Sequence, residues 1–208
     1  MPAHSVASGI FGRGKTFYGG QTINTSDYGA SVQLEGITTI FTNRAPPSSY
    51  GVQAIRDSQD THAICVRNVS GINLTPGRIV TFTSGYRNRR VGGYTTLDWV
   101  RGDGVVDDHL PSTGVVNGDL FWLIVEGPCL MKTGLAGDAL NVISDGDRLA
   151  ALTAATSQAT TAGRVQSFVA TTNVTNAISG VLNVVGFAMS AMTTAQTNSN
   201  VLVDVRFR

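Results

Sequence analysis

Gly118-Asp-Leu-Phe-Trp-Leu-Ile-Val-Glu-Gly-Pro-Cys-Leu-Met-Lys-Thr133 is the most hydrophobic stretch of the chain, and its reading decides the fold. Leu120 to Val125 is an unbroken apolar run with aromatic and β-branched members, opened by Gly-Asp and closed by Gly127-Pro128. Such a run is too short for a buried helix and has no polar face, so it predicts a central strand covered on both sides. Trp122 is then core, and its indole N–H needs a buried acceptor. Pro128 cannot donate to a ladder, which predicts a bend or an exposed edge there, with Cys129 to Lys132 resuming as a second strand.

The composition points the same way. Of 208 residues only 14% are charged and the net charge is +1, which gives no electrostatic footprint for nucleic acid and no polybasic membrane anchor. Lysine occurs only at positions 15 and 132 and glutamate only at 35 and 126, so strong charged helix formers are nearly missing, while Gly, Thr, Val, Asn and Ser favour strands and turns. The arginines that replace lysine suit bidentate pairing at protein interfaces, although the codon bias of a GC-rich genome explains them equally well. Cys65 and Cys129 lie in apolar segments and read as small buried hydrophobes rather than a disulfide framework. No N-terminal segment reads as a secretory signal and no apolar run approaches the roughly 20 residues that span a bilayer, which predicts a soluble protein.

Around the central stretch, residues 1–50 read as an extended N-terminal arm, rich in Gly, Ser, Thr and Asn, with Ser31 to Phe41 as a strand or short helix. The arm is too apolar for a free tail, so it should lie on a neighbouring surface, which predicts a homo-oligomer. Residues 51–208 read as one β-barrel or β-sandwich domain, so the fold class is all-β. His62 to Asn68 and Arg78 to Thr83, separated by Thr75-Pro76-Gly77, carry a hairpin signal. Ser84 to Gly93 reads as an exposed loop, followed by strands at Tyr94 to Arg101 and Gly104 to Val106. Gly-Asp opens strands at 118, 137 and 146; Ala150 to Gly163 is a long loop or weak helix; Arg164 to Ala170, Gly180 to Ser190 and Val201 to Phe207 close the chain as strands.

Several motifs invite chemistry. Gly9-Ile-Phe-Gly-Arg-Gly-Lys-Thr16 matches the phosphate-binding loop pattern, but Met1 to Ser8 is too polar for the strand that must precede it, and Phe17 to Tyr28 is too rich in Gly, Thr and Asn for the helix that must follow. Arg101-Gly102-Asp103 reads as a turn. Asp107-Asp108-His109 offers two carboxylates and an imidazole to a cation, yet the remaining histidines are His4 in the arm and His62 in a strand and no complete set of suitable ligands is visible at a local spacing, so the motif reads as a solvated loop. No Gly-x-Ser-x-Gly and no cysteine in a polar setting is present, so no catalytic residue, metal ligand or cofactor site is assigned and no enzyme is expected. Arg87, Arg89 and Arg90 beside Tyr86, with Phe11, Phe17 and Tyr18 of the arm, are the candidate partner-binding residues, and near-neutral charge favours a protein partner over nucleic acid or membrane.

With the residues from Gly104-Val-Val-Asp-Asp-His-Leu-Pro-Ser-Thr-Gly-Val-Val-Asn-Gly-Asp119 through Thr133 in view, the chain resembles head decoration, or cement, proteins of tailed phages over about Thr75 to Gly163. The resemblance lies in turn-and-strand grammar. It implies a β-rich body, often trimeric, that binds the major capsid protein on the assembled shell, made in the host cytoplasm and resident at the capsid surface. It transfers no residue roles. A phage fibre, tail or carbohydrate-binding β module is the alternative, and a nucleotide-binding enzyme using Gly9 to Thr16 the remote one. A carbohydrate module would expose aromatics on one face, whereas Trp99 and Trp122 both lie in apolar segments.

Overall fold

The computed structural model of the chain describes residues 13–14, 16, 34–43, 52–95, 102–134, 142–152, 161–167, 184–192 and 200–207. They form an all-β fold of ten strands with one short helix. The strands are β1 (Thr38–Thr42), β2 (Asp60–Asn68), β3 (Ile79–Phe82), β4 (Arg90–Tyr94), β5 (Gly104–Val106), β6 (Leu120–Lys132), β7 (Arg148–Ala151), β8 (Val165–Ser167), β9 (Val184–Ala188) and β10 (Asn200–Arg206), and helix α1 (Val52–Arg56) precedes β2.

The apolar run lies within β6, a single strand of 13 residues rather than two. Gly127, at φ +94°, and Pro128 bend it without interrupting it. Before the bend, β6 pairs with β2 on one edge and β5 on the other; after it, Glu126 to Lys132 pair with β10. Pro128, which has no N–H to donate, stands opposite Asp204 in a register that runs through it unbroken.

Pairing in the order β2, β4, β3, β5, β6 and back to β2 closes a ring, and β10, β9, β7 and β8 continue outward from the far half of β6. Alternation then sorts the side chains into two cores. Ile64, Val66, Val80, Val106, Phe121 and Leu123 fill the ring, together with Leu74, Leu110 and Val115 from its loops. Cys65, Ile79, Val105, Trp122 and Ile124 point the other way, onto Met131, Leu149, Val201 and Val203. Strand β6 is the wall between them, which is why both of its faces had to be apolar. Trp122 is fully buried, with the Phe41 ring edge-on at 5.5 Å.

Other readings change as well. β2 and β3 are not a hairpin: the chain between them crosses toward β5 and β6, where the Gly77 amide donates to Val106 O and Gly77 O accepts from Lys132 N. β4 takes the place beside β2, paired in parallel through Arg67 with Arg90 and Asn68 with Val91. The hairpin is β3–β4, so Arg90 to Gly93 is strand rather than loop. Residues 34–43 carry a strand, one of the two forms expected of Ser31 to Phe41, but it joins the sheet of the body instead of lying apart as an arm: β1 pairs antiparallel with β2, and Leu34 is buried in the core with Ile37 and Phe41 against it. The rest of 1–50, apart from Arg13, Gly14 and Thr16, lies outside the described residues, as do Gly137-Asp138, Trp99 and 153–160.

Candidate functional site

The Asp107-Asp108-His109 turn leaves β5 directly, and it is buried rather than solvated. The side chains of Asp107, Asp108 and Arg56 are 1%, 4% and 3% exposed. The reason is that three distant elements bring donors to it. Asp107 Oδ1 accepts from Arg13 Nε at 3.1 Å and from the His109 amide at 3.2 Å, and its Oδ2 accepts from the Gly14 amide at 2.6 Å. Asp108 Oδ1 accepts from Arg13 Nη2 at 2.6 Å and from the Cys129 thiol at 3.5 Å; its Oδ2 accepts from the Leu130 amide at 2.9 Å and from Arg56 Nη2. Arg13 Nη1 donates to Asn43 Oδ1 at 2.9 Å. The Asn43 amide is oriented for this, because its Nδ2 donates to Gln59 O and Thr61 Oγ1, both at 2.8 Å.

Two carboxylates thus face two guanidiniums, and every carboxylate oxygen is filled. Burial alone would push the Asp108 carboxyl up, but the Arg56 and Arg13 charges outweigh it and hold it below its ordinary range. Burial, followed by the Arg13 charge, pushes His109 down despite the opposing pull of Asp108 and Asp107. A neutral imidazole fits the geometry: Arg56 Nη1 stands 3.1 Å from His109 Nε2, and since a guanidinium only donates, that nitrogen must accept. Burial and Asp108 push the Cys129 thiol well up, which keeps it a weak donor and no nucleophile. The cluster holds elements together, with no oxygen open to a cation. Among the described residues no group of three His, Cys, Asp or Glu side chains is placed to hold a metal ion.

Arg13 and Gly14 of the Gly9–Thr16 motif meet this cluster. The Gly14 amide, which a phosphate loop would aim at a phosphate, donates instead to a carboxylate that would repel one. Asp103 of the Arg101-Gly102-Asp103 turn is likewise committed, accepting from the Phe82 amide at 2.7 Å.

The arginine cluster occupies the β3–β4 connection. Tyr86 is 43% exposed and Arg87 is exposed, while Arg89 and Arg90 are half-buried. The Arg90 guanidinium lies 4.3 Å from the Tyr86 ring centroid and donates to Glu35 Oε2 at 3.3 Å, and Arg67 Nε donates to Glu35 Oε1 at 2.5 Å. Burial would raise the Glu35 carboxyl, but its bonds to Arg67 and Arg90 hold it below the ordinary range. The connection is tight, with the Tyr86 amide on Thr83 O, the Arg89 and Arg90 amides on Tyr86 O, and Asn88 at φ 61°. Sequence grouped four residues here; the structure turns two inward as struts and two outward. Phe11, Phe17 and Tyr18 lie outside the described residues.

A cleft of about 550 Å³ opens where β6 bends, lined among others by Asp60, His62, Glu126, Asp204 and Arg206. His62 Nδ1 lies 3.6 Å from Glu126 Oε2, and Arg206 Nη2 donates to Asp204 Oδ2 at 2.7 Å. None of the residues picked from the sequence lines it.

No family model and no curated protein matches the chain. Among solved structures it is similar to the N base of the head fibre gp8.5 of bacteriophage phi29, at 16% identity over 70% of this chain and 93% of that one, with a TM-score of 0.38.

Proposed function

We propose that this chain is a virion structural protein of a tailed phage: a non-catalytic decoration protein that binds the assembled shell of major capsid protein, as a homotrimer. The resemblance in turn-and-strand grammar from Gly104 to Thr133 supports the class. The observation that carries the docking role is the β3–β4 tip, where Arg90 is stacked under Tyr86 and tied to Glu35 so that Tyr86 and Arg87 are presented outward. Tyrosine and arginine on a rigid support lose little side-chain freedom on binding and dominate the centres of protein interfaces. The buried carboxylates, by contrast, are saturated by internal donors and serve the fold.

The test is addition of the purified full chain to shells assembled from major capsid protein alone, read by co-sedimentation and electron microscopy. Saturable, regular occupancy that Y86A/R87E abolishes is the expected result. Absence of shell binding, with retention on host-surface glycans, would instead establish the fibre or carbohydrate-binding reading. Native mass spectrometry reads the trimer directly.

A further inference from the structure

We propose that the outer edge of β1 is a strand-addition site. Thr38, Ile40 and Thr42 take an extended, β-branched segment of another protein, antiparallel, with a basic residue toward the N-terminal end of that segment and an acidic one toward its C-terminal end.

The sheet order ends at β1 and at β8. β8 has three residues, and its outer edge is engaged: Val165 is bridged to Thr133, and the Gly134 amide donates to Val165 O at 3.0 Å. β1 has five residues, and among the described residues no strand pairs with its other edge. The ladder to β2 decides which groups that edge offers. The Cys65 amide donates to Ile37 O at 2.8 Å and the Asn43 amide to Gln59 O at 3.0 Å, in a register that runs between them without a shift, so Ile37, Thr39, Phe41 and Asn43 face β2. In an antiparallel ladder the alternate residues turn both backbone groups the other way. Thr38, Ile40 and Thr42 therefore hold N–H and C=O outward, and their side chains are exposed, Ile40 by 58%.

Natural sheets blunt such an edge with lysine, proline, a bulge or extreme shortness. Thr-Thr-Ile-Phe-Thr has none of these, and each of its residues is β-branched or aromatic. The edge is also held firmly. Thr39 is buried, Phe41 meets the Trp122 ring edge-on, and Leu34 anchors the approach to the strand. An incoming strand thus finds hydrogen-bonding groups already set, and only its own freedom is lost.

The two ends of the edge carry opposite charge. Before Thr38, Gly36 lies against the Arg89 stem, and Arg89 Nε is buried with no hydrogen-bond partner among the described residues. At the far end Thr42 Oγ1 donates to the exposed Asp60 at 2.8 Å. An antiparallel guest centred on Ile40 brings its C-terminal residues to Arg89 and its N-terminal ones to Asp60, which sets the sign of each flank. Opposite Ile40 an apolar β-branched residue fits, and opposite Thr38 a threonine. A second copy of β1 carries the wrong charge for this, since past Thr42 its sequence continues Asn43-Arg44, an arginine toward Arg89.

The full chain is titrated with the fluorescent nonapeptide Gly-Arg-Val-Ile-Val-Thr-Thr-Glu-Gly, which sets isoleucine opposite Ile40, arginine opposite Thr42 and glutamate opposite Gly36. N-methylation of the isoleucine removes a donor aimed at Ile40 O, whereas N-methylation of the valine before it alters an amide that faces away. Saturable binding of the parent and methyl-valine peptides is expected, with at least tenfold weaker binding of the methyl-isoleucine peptide and of a peptide with arginine and glutamate exchanged. Ile40→Pro asks the same of the protein. The Ile40 N–H makes no bond to β2, so the substitution spares the ladder while removing the central outward donor. It should melt with the wild type and bind the parent peptide at least tenfold more weakly; if it does not fold, Ile40→Lys takes its place. Equal binding of the two methylated peptides, or no saturable binding of the parent, overturns strand addition. Equal binding of the exchanged peptide overturns the polarity. Melting several degrees lower in both Ile40 variants would mean that the edge is already paired within the chain, and overturns the site. Larger species of the wild type in sedimentation velocity that Ile40→Pro lacks would give the edge to a second copy and overturn the choice of partner.

Discussion

The molecule contains two carboxylate–arginine clusters of similar make-up and very different depth. At Asp107 and Asp108 two guanidiniums meet two carboxylates in the interior, where every participant is under a tenth exposed. At Glu35 two guanidiniums meet one buried carboxylate at the rim, and the arginine side chains are 25% and 36% exposed. Depth sets what each is worth. Removing one partner of a buried pair strands the others in low dielectric, whereas water takes over at a rim. The inner cluster therefore joins elements remote in sequence, and the outer one steadies a tip that stays available to a partner.

The largest break in this contrast is Asp108→Ala. It leaves Arg56 and Arg13 facing each other without a shared acceptor, and should cost about 3 to 5 kcal/mol in denaturant unfolding. A loss below about 1 kcal/mol would mean that the inner cluster is solvated and the comparison empty.

That cluster was the part of the molecule hardest to read in the sequence. Strand β6 was legible because six apolar residues in a row permit only burial on both faces, whatever the neighbours are. Asp107 and Asp108 carry the opposite local signal, two carboxylates at the end of a short strand, and the donors that reverse it stand 94 and 52 residues away. The parallel insertion of β4 was hidden for the same reason: local turn residues say where the chain bends, but not which strand will lie beside it. One faint signal was present. A chain that chooses arginine over lysine has forks to place, and here four of them, Arg13, Arg56, Arg67 and Arg90, are placed on carboxylates of the same chain.

Acidification should separate the two clusters next. His109 is held below its ordinary 6.5 in the fold, so in the pH window just below that value the unfolded chain binds the proton first and stability falls as pH drops. Stability from this group is complete above 6.5 and is lost through its folded-state value. Asp108 and Glu35, both depressed, add a second loss at more acid pH, below their ordinary 3.8 and 4.5. His109→Gln should remove the first step from a melting profile and leave the second. If both steps survive, the imidazole does not titrate within the inner cluster.

Smaller changes follow. Gly14→Ala adds a Cβ at positive φ against the His109 carbonyl and should cost about 1 to 3 kcal/mol in chemical denaturation, close to the cost of holding any side chain in that backbone region. Glu35→Gln at the rim should cost about 1 kcal/mol, since water can approach both guanidiniums, and the fall should shrink in high salt. A salt-independent loss as large as that of Asp108→Ala would place Glu35 with the inner cluster.

The smallest effect on the fold belongs to Arg87→Ala, and it is the most telling for the role of the tip. Arg87 is exposed on a connection whose shape is set by others: the Tyr86, Arg89 and Arg90 amides close the turn, and Arg90 supports the Tyr86 ring from below. Its neighbour Arg89 is different. The aliphatic stem of Arg89 lies where a Cβ on Gly36 would come within 3.4 Å of its Cγ, so that residue packs the tip onto the segment leading to β1. Replacing Arg87 should shift unfolding by no more than about 0.5 kcal/mol, as for any surface position without a structural partner to strand. Replacing Arg89 should cost more, because a packed stem is lost along with the charge. Shell binding should rank them the other way, with Arg87→Ala the more damaging. Should Arg87→Ala bind shells as the wild type does while melting several degrees lower, the tip is part of the scaffold, and the division between an inner cluster that holds and an outer one that presents fails at its outer half.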